Sequence, residues 1–150
     1  MVAQQVGPLW TVEEYLNLER HSNVKHEYHQ GHVYAMAGGT QEHSLIAVNV
    51  CTLLRAAVRG SICRAFNSDI KIRQTLEDYV YADAVVTCDR RDNVPGQDWI
   101  DYPTLVVEVV SPSTERHDRS DKFDGYQQIP TAAAYPFSSI VRRVTAKSSV

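Results

Sequence analysis

The sequence predicts an α/β or α+β domain in which helices flank one β-sheet. Short apolar runs separated by polar turns over residues 62–110 are typical of strands. Segments 40–59 and 115–129 read as helices, so that one helix lies between two groups of strands. The chain has 150 residues, 43% of them hydrophobic and 22% charged. This is enough for one domain with a real core and is short for two.

The N-terminal part begins with a loose arm, residues 1–9, ahead of the predicted domain 10–130. Thr11 and Glu14 match a capping box, in which a threonine and a glutamate three residues later satisfy the first amides of a helix. A short helix is therefore expected to start here.

A β-hairpin and a long helix come next. Apolar and aromatic residues alternate along 24–37 on both sides of Gln30-Gly31, which indicates two strands and a tight turn. Glu27 falls in the first of these strands. Apolar residues cover more of helix 40–59 than one amphipathic stripe would, so we expect that helix to be well buried.

Four further strands are predicted at 62–67, 69–73, 79–88 and 105–110. In 69–73 the alternation turns the isoleucines inward and the charged residues outward. Strand 105–110 is almost wholly apolar, as expected of a strand covered on both faces. Residues 90–101 form a polar loop between the last two strands.

A polar helix, 115–129, and an atypical tail, 131–150, complete the chain. Asp118, Lys122 and Tyr126 recur every four residues and therefore share one helix face. In the tail small residues dominate, and only 138–144 could form a weak strand.

Composition narrows the class of protein. The net charge of -3 and the pI of about 6.0 argue against a large basic DNA-binding face. No apolar run approaches the roughly 20 residues of a membrane span, and the N-terminus lacks a signal-peptide pattern. Cys51, Cys63 and Cys88 lack metal-ligand spacing, which favours buried free thiols. We therefore expect a cytoplasmic protein without a membrane partner.

Two acids interrupt apolar strands and carry the functional hypothesis. Asp83 lies in the run VYADAVVTC and Glu108 in LVVEVV. A buried carboxylate costs several kcal/mol unless it is compensated, and a shared divalent cation is the simplest compensation. The Val109 carbonyl could be a third oxygen ligand. Lys122 could supply the positive charge that phosphodiester hydrolysis needs.

Simpler interpretations stay open at this point. Asp118 and Lys122 could form an exposed ion pair, Asp83 could accept a loop amide, and Glu108 could pair with an arginine of the following helix. His43, in the first turn of helix 40–59, is most simply a local hydrogen-bonding residue. Asp69 alternates with inward isoleucines and reads as a solvated or turn-capping residue.

Three segments carry a resemblance to a known family: YADAVVTCD, then YPTLVVEVVSPSTERHD, then DKFDGYQQIP. Together with WTVEEYLNLE, EYHQGHVYAM and GGTQEHSLIAVNVCTLL they resemble the Uma2 family of endonucleases, within the PD-(D/E)XK, restriction-endonuclease-like superfamily. The resemblance covers roughly residues 10–130. Ala82 stands where that superfamily usually has proline, and Val110 stands at its E-x-K lysine position. The tail 131–150 does not follow the family pattern.

The resemblance implies a restriction-endonuclease-like mixed β-sheet flanked by helices, here lacking its last strands. It also implies a Mg²⁺-dependent centre, with Mn²⁺ as a possible substitute. Asp83 and Glu108 match the metal-binding acids, and Lys122 replaces the missing lysine. Glu27 matches a supporting N-terminal acid. His43 and Asp69 match positions that are often polar.

The expected function is therefore a metal-dependent endonuclease that hydrolyses phosphodiester bonds, with nucleic acid, DNA above all, as its partner. Nucleases of this superfamily that cut both strands often act as dimers, so a homodimer is possible. The alternative is a catalytically inactive remnant or protein-interaction module of the same fold, which the atypical tail and the acidic net charge favour. A metal-dependent hydrolase with another substrate is the weakest candidate, because it would need an apolar pocket.

Overall fold

The structure is a computed structural model that describes residues 4–5, 7–109 and 118–132, and for residues 4–5 and 118–120 the backbone alone. Its helices are α1 (Val12–His21), α2 (Gln41–Ala57) and α3 (Asp118–Gln127). Its strands are β1 (Gln4–Gln5), β2 (His26–His29), β3 (His32–Ala35), β4 (Arg64–Asn67), β5 (Lys71–Thr75), β6 (Asp78–Tyr81), β7 (Ala84–Thr87), β8 (Trp99–Ile100) and β9 (Leu105–Val107).

Hydrogen bonding divides the described strands into two sheets. The larger has the order β1-β3-β2-β6-β5-β8 and is mixed, because β5 and β8 run parallel while the other pairs are antiparallel. The smaller is antiparallel, in the order β4-β7-β9. The mixed sheet with flanking helices confirms the predicted fold class.

The expectation of one sheet is wrong, and so is the prediction of one strand over 79–88. The run breaks at Ala82-Asp83, so that β6 joins the larger sheet and β7 the smaller. Both halves are apolar and buried, which makes the break invisible to hydrophobic periodicity. The chain therefore passes from one sheet to the other at a predicted site residue.

Three apolar clusters attach the helices. Tyr15 of α1 packs with tyrosines of the larger sheet, including Tyr28. Val50 of α2 packs with strands of the smaller sheet. Tyr126, in the last turn of α3, enters the cluster around Ile72 and Val85. Each helix is thus attached to a different part of the β-structure.

The local predictions for the first helix and the hairpin are confirmed. The Glu14 amide donates to Thr11 Oγ1 at 3.2 Å, and the Thr11 amide donates to Glu14 Oε2 at 2.7 Å, which completes the capping box. Gln30 and Gly31 have φ values of 46° and 89°, and the strands on either side pair in register. A two-residue turn with both φ angles positive matches the twist of a hairpin.

Helix α2 departs from its prediction, because most of its surface is not buried. Only Val50 of this helix is buried, whereas Leu45, Val48 and Leu53 are 63%, 58% and 64% exposed. The smaller sheet covers one side of the helix, with Ile46 and Leu54 beside Val50. Apolar composition all round the helix predicted burial on every side, but the described chain packs against one side.

Lys71 also departs from its predicted outward position. Its side chain is buried, and its ammonium lies 2.7 Å from Asp98 Oδ2, across the parallel pairing of β5 with β8. The loop segment predicted over 90–101 contains β8 and a short 3₁₀ helix, Arg90–Asp92. A non-local acid thus makes the burial of a charged residue possible.

The cysteine prediction is wrong for two of the three residues. Cys63 and Cys88 form a disulfide, and Cys51 is free and half-buried. The reason is register: Arg64 pairs with Thr87 between β4 and β7, and one more step sets Cys63 opposite Cys88.

Parts of the predicted chain lie outside the described residues. These are residues 1–3 and 6 of the arm, the start of helix 115–129, and the tail from 133 onward with its weak strand. In the described chain no helix combines the length and apolar character that a membrane crossing requires.

Candidate active site

Four predicted site residues meet where the two sheets adjoin: Glu27, Asp83, Glu108 and Lys122. We call these four the carboxylate cluster. Lys122 Nζ lies 2.6 Å from Glu27 Oε1 and 3.6 Å from Glu108 Oε1. Asp83 joins them through Val109, the residue after Glu108, whose amide donates to Asp83 Oδ2 at 2.5 Å. Three acids and one lysine from four different elements or strand ends are therefore gathered at one place.

Strand register explains why Asp83 and Glu108 come together. Ala84 pairs with Val107 between β7 and β9, so one further step sets Asp83 opposite Glu108. Directly opposite residues of an antiparallel pair have neighbouring side chains. Both acids sit just beyond the paired residues, at the strand ends, with 15% and 22% of their side chains exposed. The position is reachable from solvent and only partly hydrated.

Glu27 links β2 to the break in the neighbouring strand. Strands β2 and β6 pair at two positions, Tyr28 with Tyr79 and His29 with Asp78. Beyond it, Glu27 Oε1 accepts the amide of Tyr81 at 3.0 Å. The carbonyl of Tyr81 in turn accepts Lys122 Nζ at 3.0 Å. Glu27 and Lys122 therefore both hydrogen-bond to the backbone of Tyr81, two residues before Asp83.

The position of Lys122 depends on close packing of α3 against β5. Gln74 of β5 donates from Nε2 to the Lys122 carbonyl at 2.8 Å. A Cβ on Gly125 would lie 2.3 Å from Gln74 Oε1, well inside van der Waals contact. Glycine at 125 thus lets α3 approach the sheet. Lys122 is not exposed, as the simpler interpretation would require, since its side chain is only 21% exposed and pairs with Glu27.

Glu108 is held by Tyr126, which donates from its hydroxyl to Glu108 Oε1 at 2.7 Å. Burial raises the pKa of Glu108 to about 7, Lys122 opposes the rise, and the negative charges of Asp83 and Glu27 add to it. Burial and the charge of Glu108 raise the pKa of Tyr126 well above its ordinary value, so the phenol keeps its proton and stays a donor. The cluster thus carries more negative charge than Lys122 offsets.

His43 joins the cluster from α2. Its Nε2 lies 2.8 Å from Asp83 Oδ1, and its side chain is 27% exposed. Thr40 caps the helix by accepting the His43 amide at 3.2 Å. Gly39 makes room, since a Cβ there would lie 3.1 Å from His43 Cδ2. The simpler expectation, that His43 is a local hydrogen-bonding residue, is wrong because its ring contacts Asp83.

Asp69 does not join the cluster. Its side chain is 71% exposed and pairs with Lys25 at 2.7 Å, and it also accepts from Asn67. Hydrogen bonding to Lys25 lowers the pKa of Asp69. The sequence-based interpretation of a solvated residue describes this environment.

The cluster fits a hard cation bound by oxygen and does not form a cage made only of side chains. In residues 4–5, 7–109 and 118–132 no three His, Cys, Asp or Glu side chains are placed to hold a metal together. Asp83 and Glu108 offer two carboxylates. Burial is the main cause of the raised pKa of Glu108, and the negative charges of Asp83 and Glu27, which add to the rise, are what a cation would offset. Magnesium usually keeps several waters and takes one or two carboxylates. The Val109 carbonyl as a third ligand stays a prediction.

Sequence reasoning missed the supporting residues. Gln74 and Gly125 have no recognisable signal in the sequence, because their roles depend on the approach of α3 to β5. Tyr126 had one, since it shares a helix face with Lys122 at a four-residue spacing.

Comparison with known proteins shows the family and the fold of this chain. A family model described as "Uma2: Putative restriction endonuclease" matches residues 12–143. Two proteins of Synechocystis, both named as uncharacterized, are 45% and 30% identical to this chain over 129 and 139 residues. These alignments cover 85% and 90% of this chain, and 67% and 77% of the relatives.

A solved structure shares the fold. It is the crystal structure of a putative nuclease belonging to DUF820 from Anabaena variabilis, with a TM-score of 0.64 and 18% sequence identity. The superposition covers 79% of this chain and 68% of that one. The family model covers most of the chain. This protein therefore belongs to the Uma2 family, which is described as a family of putative restriction endonucleases.

Proposed function

We propose that this protein is a metal-dependent endonuclease that hydrolyses phosphodiester bonds in DNA. The observation that carries the proposal is the carboxylate cluster: two acids on adjacent strand ends, with a lysine and a third acid beside them. Family membership supports a nuclease, and the cluster supports a reaction at phosphate. A cytoplasmic location belongs to the same proposal, because DNA is met there.

Asp83 and Glu108 would hold Mg²⁺ or Mn²⁺, with the Val109 carbonyl as the third protein oxygen. The ion would supply charge neutralisation at the scissile phosphate and a more acidic bound water. Lys122 would steady negative charge on the phosphate oxygens, since its ammonium reaches both Glu27 and Glu108.

Glu27 and Tyr126 would act by positioning. Glu27 holds Lys122 and the Tyr81 amide together, and Tyr126 restricts the rotation of the Glu108 carboxylate. His43 would orient Asp83 from the side of α2. Each of these residues contacts a group that we expect to bind the ion or phosphate directly.

Nicking of supercoiled plasmid DNA tests the proposal. We would compare the wild-type protein with Glu108→Gln and Lys122→Met, and with Glu77→Gln as an exposed control, in Mg²⁺, in Mn²⁺ and in EDTA. We expect nicking by the wild type and the control with metal, at least about 100-fold slower nicking by the two cluster variants, and none in EDTA. The same assay with single-stranded DNA and with RNA in place of the plasmid defines the substrate.

Two results would overturn the proposal. Glu108→Gln nicking at the wild-type rate would remove the cluster from the reaction. A folded wild type that cuts no nucleic acid with either metal would favour the second candidate, a non-catalytic interaction module of the same fold. The exposed apolar side of α2 is the observation in favour of that candidate. Urea unfolding of every sample separates loss of activity from loss of structure.

A further inference from the structure

Helix α1 carries a buried carboxylate that the proposed reaction does not use. The side chain of Glu19 is only 3% exposed. Its Oε1 accepts the amide of His26 at 3.1 Å and lies 2.7 Å from His26 Nδ1, and its Oε2 accepts the Tyr81 hydroxyl at 2.6 Å. Burial of a carboxylate is unfavourable unless hydrogen bonds compensate it, so Glu19 and these partners are held together.

Tyr81 connects Glu19 to the carboxylate cluster through its own backbone. Its side chain is buried. Its amide donates to Glu27 Oε1 at 3.0 Å, and its carbonyl accepts Lys122 Nζ at 3.0 Å. A single residue therefore has its hydroxyl bonded to α1 and both of its backbone groups bonded to the carboxylate cluster. Asp83 lies two residues further along the chain.

These two sets of bonds lie on opposite faces of the larger sheet. Neighbouring residues of a strand point to opposite faces. Tyr79 packs in the cluster that contains α1, and Val80 packs in the cluster that contains α3. Tyr81 directs its ring toward α1, as Tyr79 does, while Lys122 reaches its carbonyl from α3. The position of the backbone at Tyr81 therefore depends on both helices.

The ring of Tyr81 is restrained by charged neighbours as well as by burial. The ammonium groups of Lys25 and Lys71 lie 5.5 Å and 5.8 Å from the ring centroid. Burial raises the pKa of Tyr81, and the hydrogen bond to Glu19 adds to the rise, so the hydroxyl keeps its proton and stays a donor. Because the ring is fixed in this way, the bond to Glu19 acts on the backbone of Tyr81 and is not absorbed by rotation of the side chain.

We propose that Glu19 is a positioning residue for the proposed nuclease reaction and acts through Tyr81 on the carboxylate cluster. This role rests on the proposed function, because Lys122 and Asp83 are the groups expected to contact the phosphate and the ion. Without the bond to Glu19, the strand end before Asp83 would be held from the cluster side alone. Misplacement of a reacting group by about 1 Å can cost about 100-fold in rate, so a partial loosening of Lys122 should cost about tenfold.

Hydrogen exchange at the amide of residue 81, measured by NMR without metal, tests the positioning without any activity measurement. We compare the wild type, Tyr81→Phe, and the control Tyr15→Phe, which also removes one buried hydroxyl, the donor to the His26 carbonyl at 2.8 Å. Dividing the exchange rate at residue 81 by that at residue 79 of the same strand corrects for a general loss of stability. This ratio should rise at least about tenfold in Tyr81→Phe and change less than about twofold in Tyr15→Phe.

Two substitutions test Glu19 itself. Glu19→Gln keeps a hydrogen bond with the Tyr81 hydroxyl, because either end of the amide can pair with a hydroxyl, so its exchange ratio should stay within about twofold of the wild type. Glu19→Leu removes the bond and should reproduce the result of Tyr81→Phe. If urea unfolding shows that Glu19→Leu does not fold, the comparison of Glu19→Gln with Tyr81→Phe, which loses only a hydroxyl, decides the question.

Plasmid nicking then tests whether the positioning matters for the reaction. Tyr81→Phe should lower kcat about tenfold and change KM less than about twofold, and Tyr15→Phe should change neither by more than about twofold. In a Lys122→Met background Tyr81→Phe should have almost no further effect, because residues that act as a unit are not additive. A purely structural role would lower the activity equally in both backgrounds.

Two results would overturn the proposal. One is an exchange ratio for Tyr81→Phe no higher than that for Tyr15→Phe, and the other is the same fall in kcat with and without Lys122. A folded wild type that cuts no nucleic acid would overturn the nuclease function and, with it, the reaction that Glu19 serves. The exchange ratio would still show whether Glu19 positions the backbone at residue 81, so the two failures are distinguishable.

Discussion

Replacing Glu108 by glutamine should make the metal-free protein more stable above neutral pH. Burial raises the pKa of Glu108 from its ordinary value of 4.5 to about 7, and Asp83 and Glu27 add to the rise against the effect of Lys122. A raised carboxyl pKa means that folding favours the protonated form. The stabilising contribution is fully present below pH 4.5 and is lost as the pH rises through about 7.

The magnitude follows from the size of the shift. The rise of the Glu108 pKa from 4.5 to about 7 corresponds to at most about 3 kcal/mol. The side chain keeps 22% of its exposure, and glutamine loses the attraction of Lys122, so we expect a net gain of about 1–3 kcal/mol at pH 8.5. Glutamine keeps an oxygen for the Tyr126 hydroxyl. At pH 4.5 the acid is protonated in the folded state and half protonated in the unfolded state, so the variant and the wild type should differ by less than about 0.5 kcal/mol.

Urea unfolding in EDTA, followed by circular dichroism from pH 4.5 to 8.5, measures this difference. Glu77→Gln is the matched control, because it removes an exposed carboxylate from a turn. Its unfolding free energy should follow the wild type at each pH within about 0.5 kcal/mol. Lower stability of Glu108→Gln at pH 8.5 would refute the reasoning, since the ion pair with Lys122 would then outweigh burial and repulsion.

Three further predictions concern other parts of the molecule. Lys122→Met should destabilise the metal-free protein by about 1–3 kcal/mol at pH 8, because it removes the cation between Glu27 and Glu108; urea unfolding checks this, and added Glu27→Gln should restore part of the loss. Thr11→Ala should cost about 1 kcal/mol through the lost cap, with Thr52→Ala, exposed in a helix interior, as its control. Ile72→Ala should cost about 2–5 kcal/mol, because the side chain is fully buried in the main apolar cluster; a change no larger than that of Thr52→Ala would contradict the assignment of that core.

Local chemistry determined the parts of this protein that could be predicted from its sequence. The capping box at Thr11 and Glu14 forms between residues three apart, and the turn at Gln30-Gly31 needs only two positive φ angles. The acids Asp83 and Glu108 stood out because a carboxylate in an apolar run needs compensation wherever that run is placed. In each case the physical cause of the predicted feature lies within a few residues of the sequence.

The tertiary structure alone decided which of these residues meet. The break at Ala82-Asp83 sends β6 and β7 into different sheets, and strand register then brings Asp83 to Glu108 and Cys63 to Cys88. Leu45, Val48 and Leu53 of α2 are exposed because the smaller sheet packs against only the other side of that helix. Strand pairing and helix packing bring together residues that are distant in sequence. Neither hydrophobic periodicity nor residue type specifies which distant segment packs against a given strand or helix.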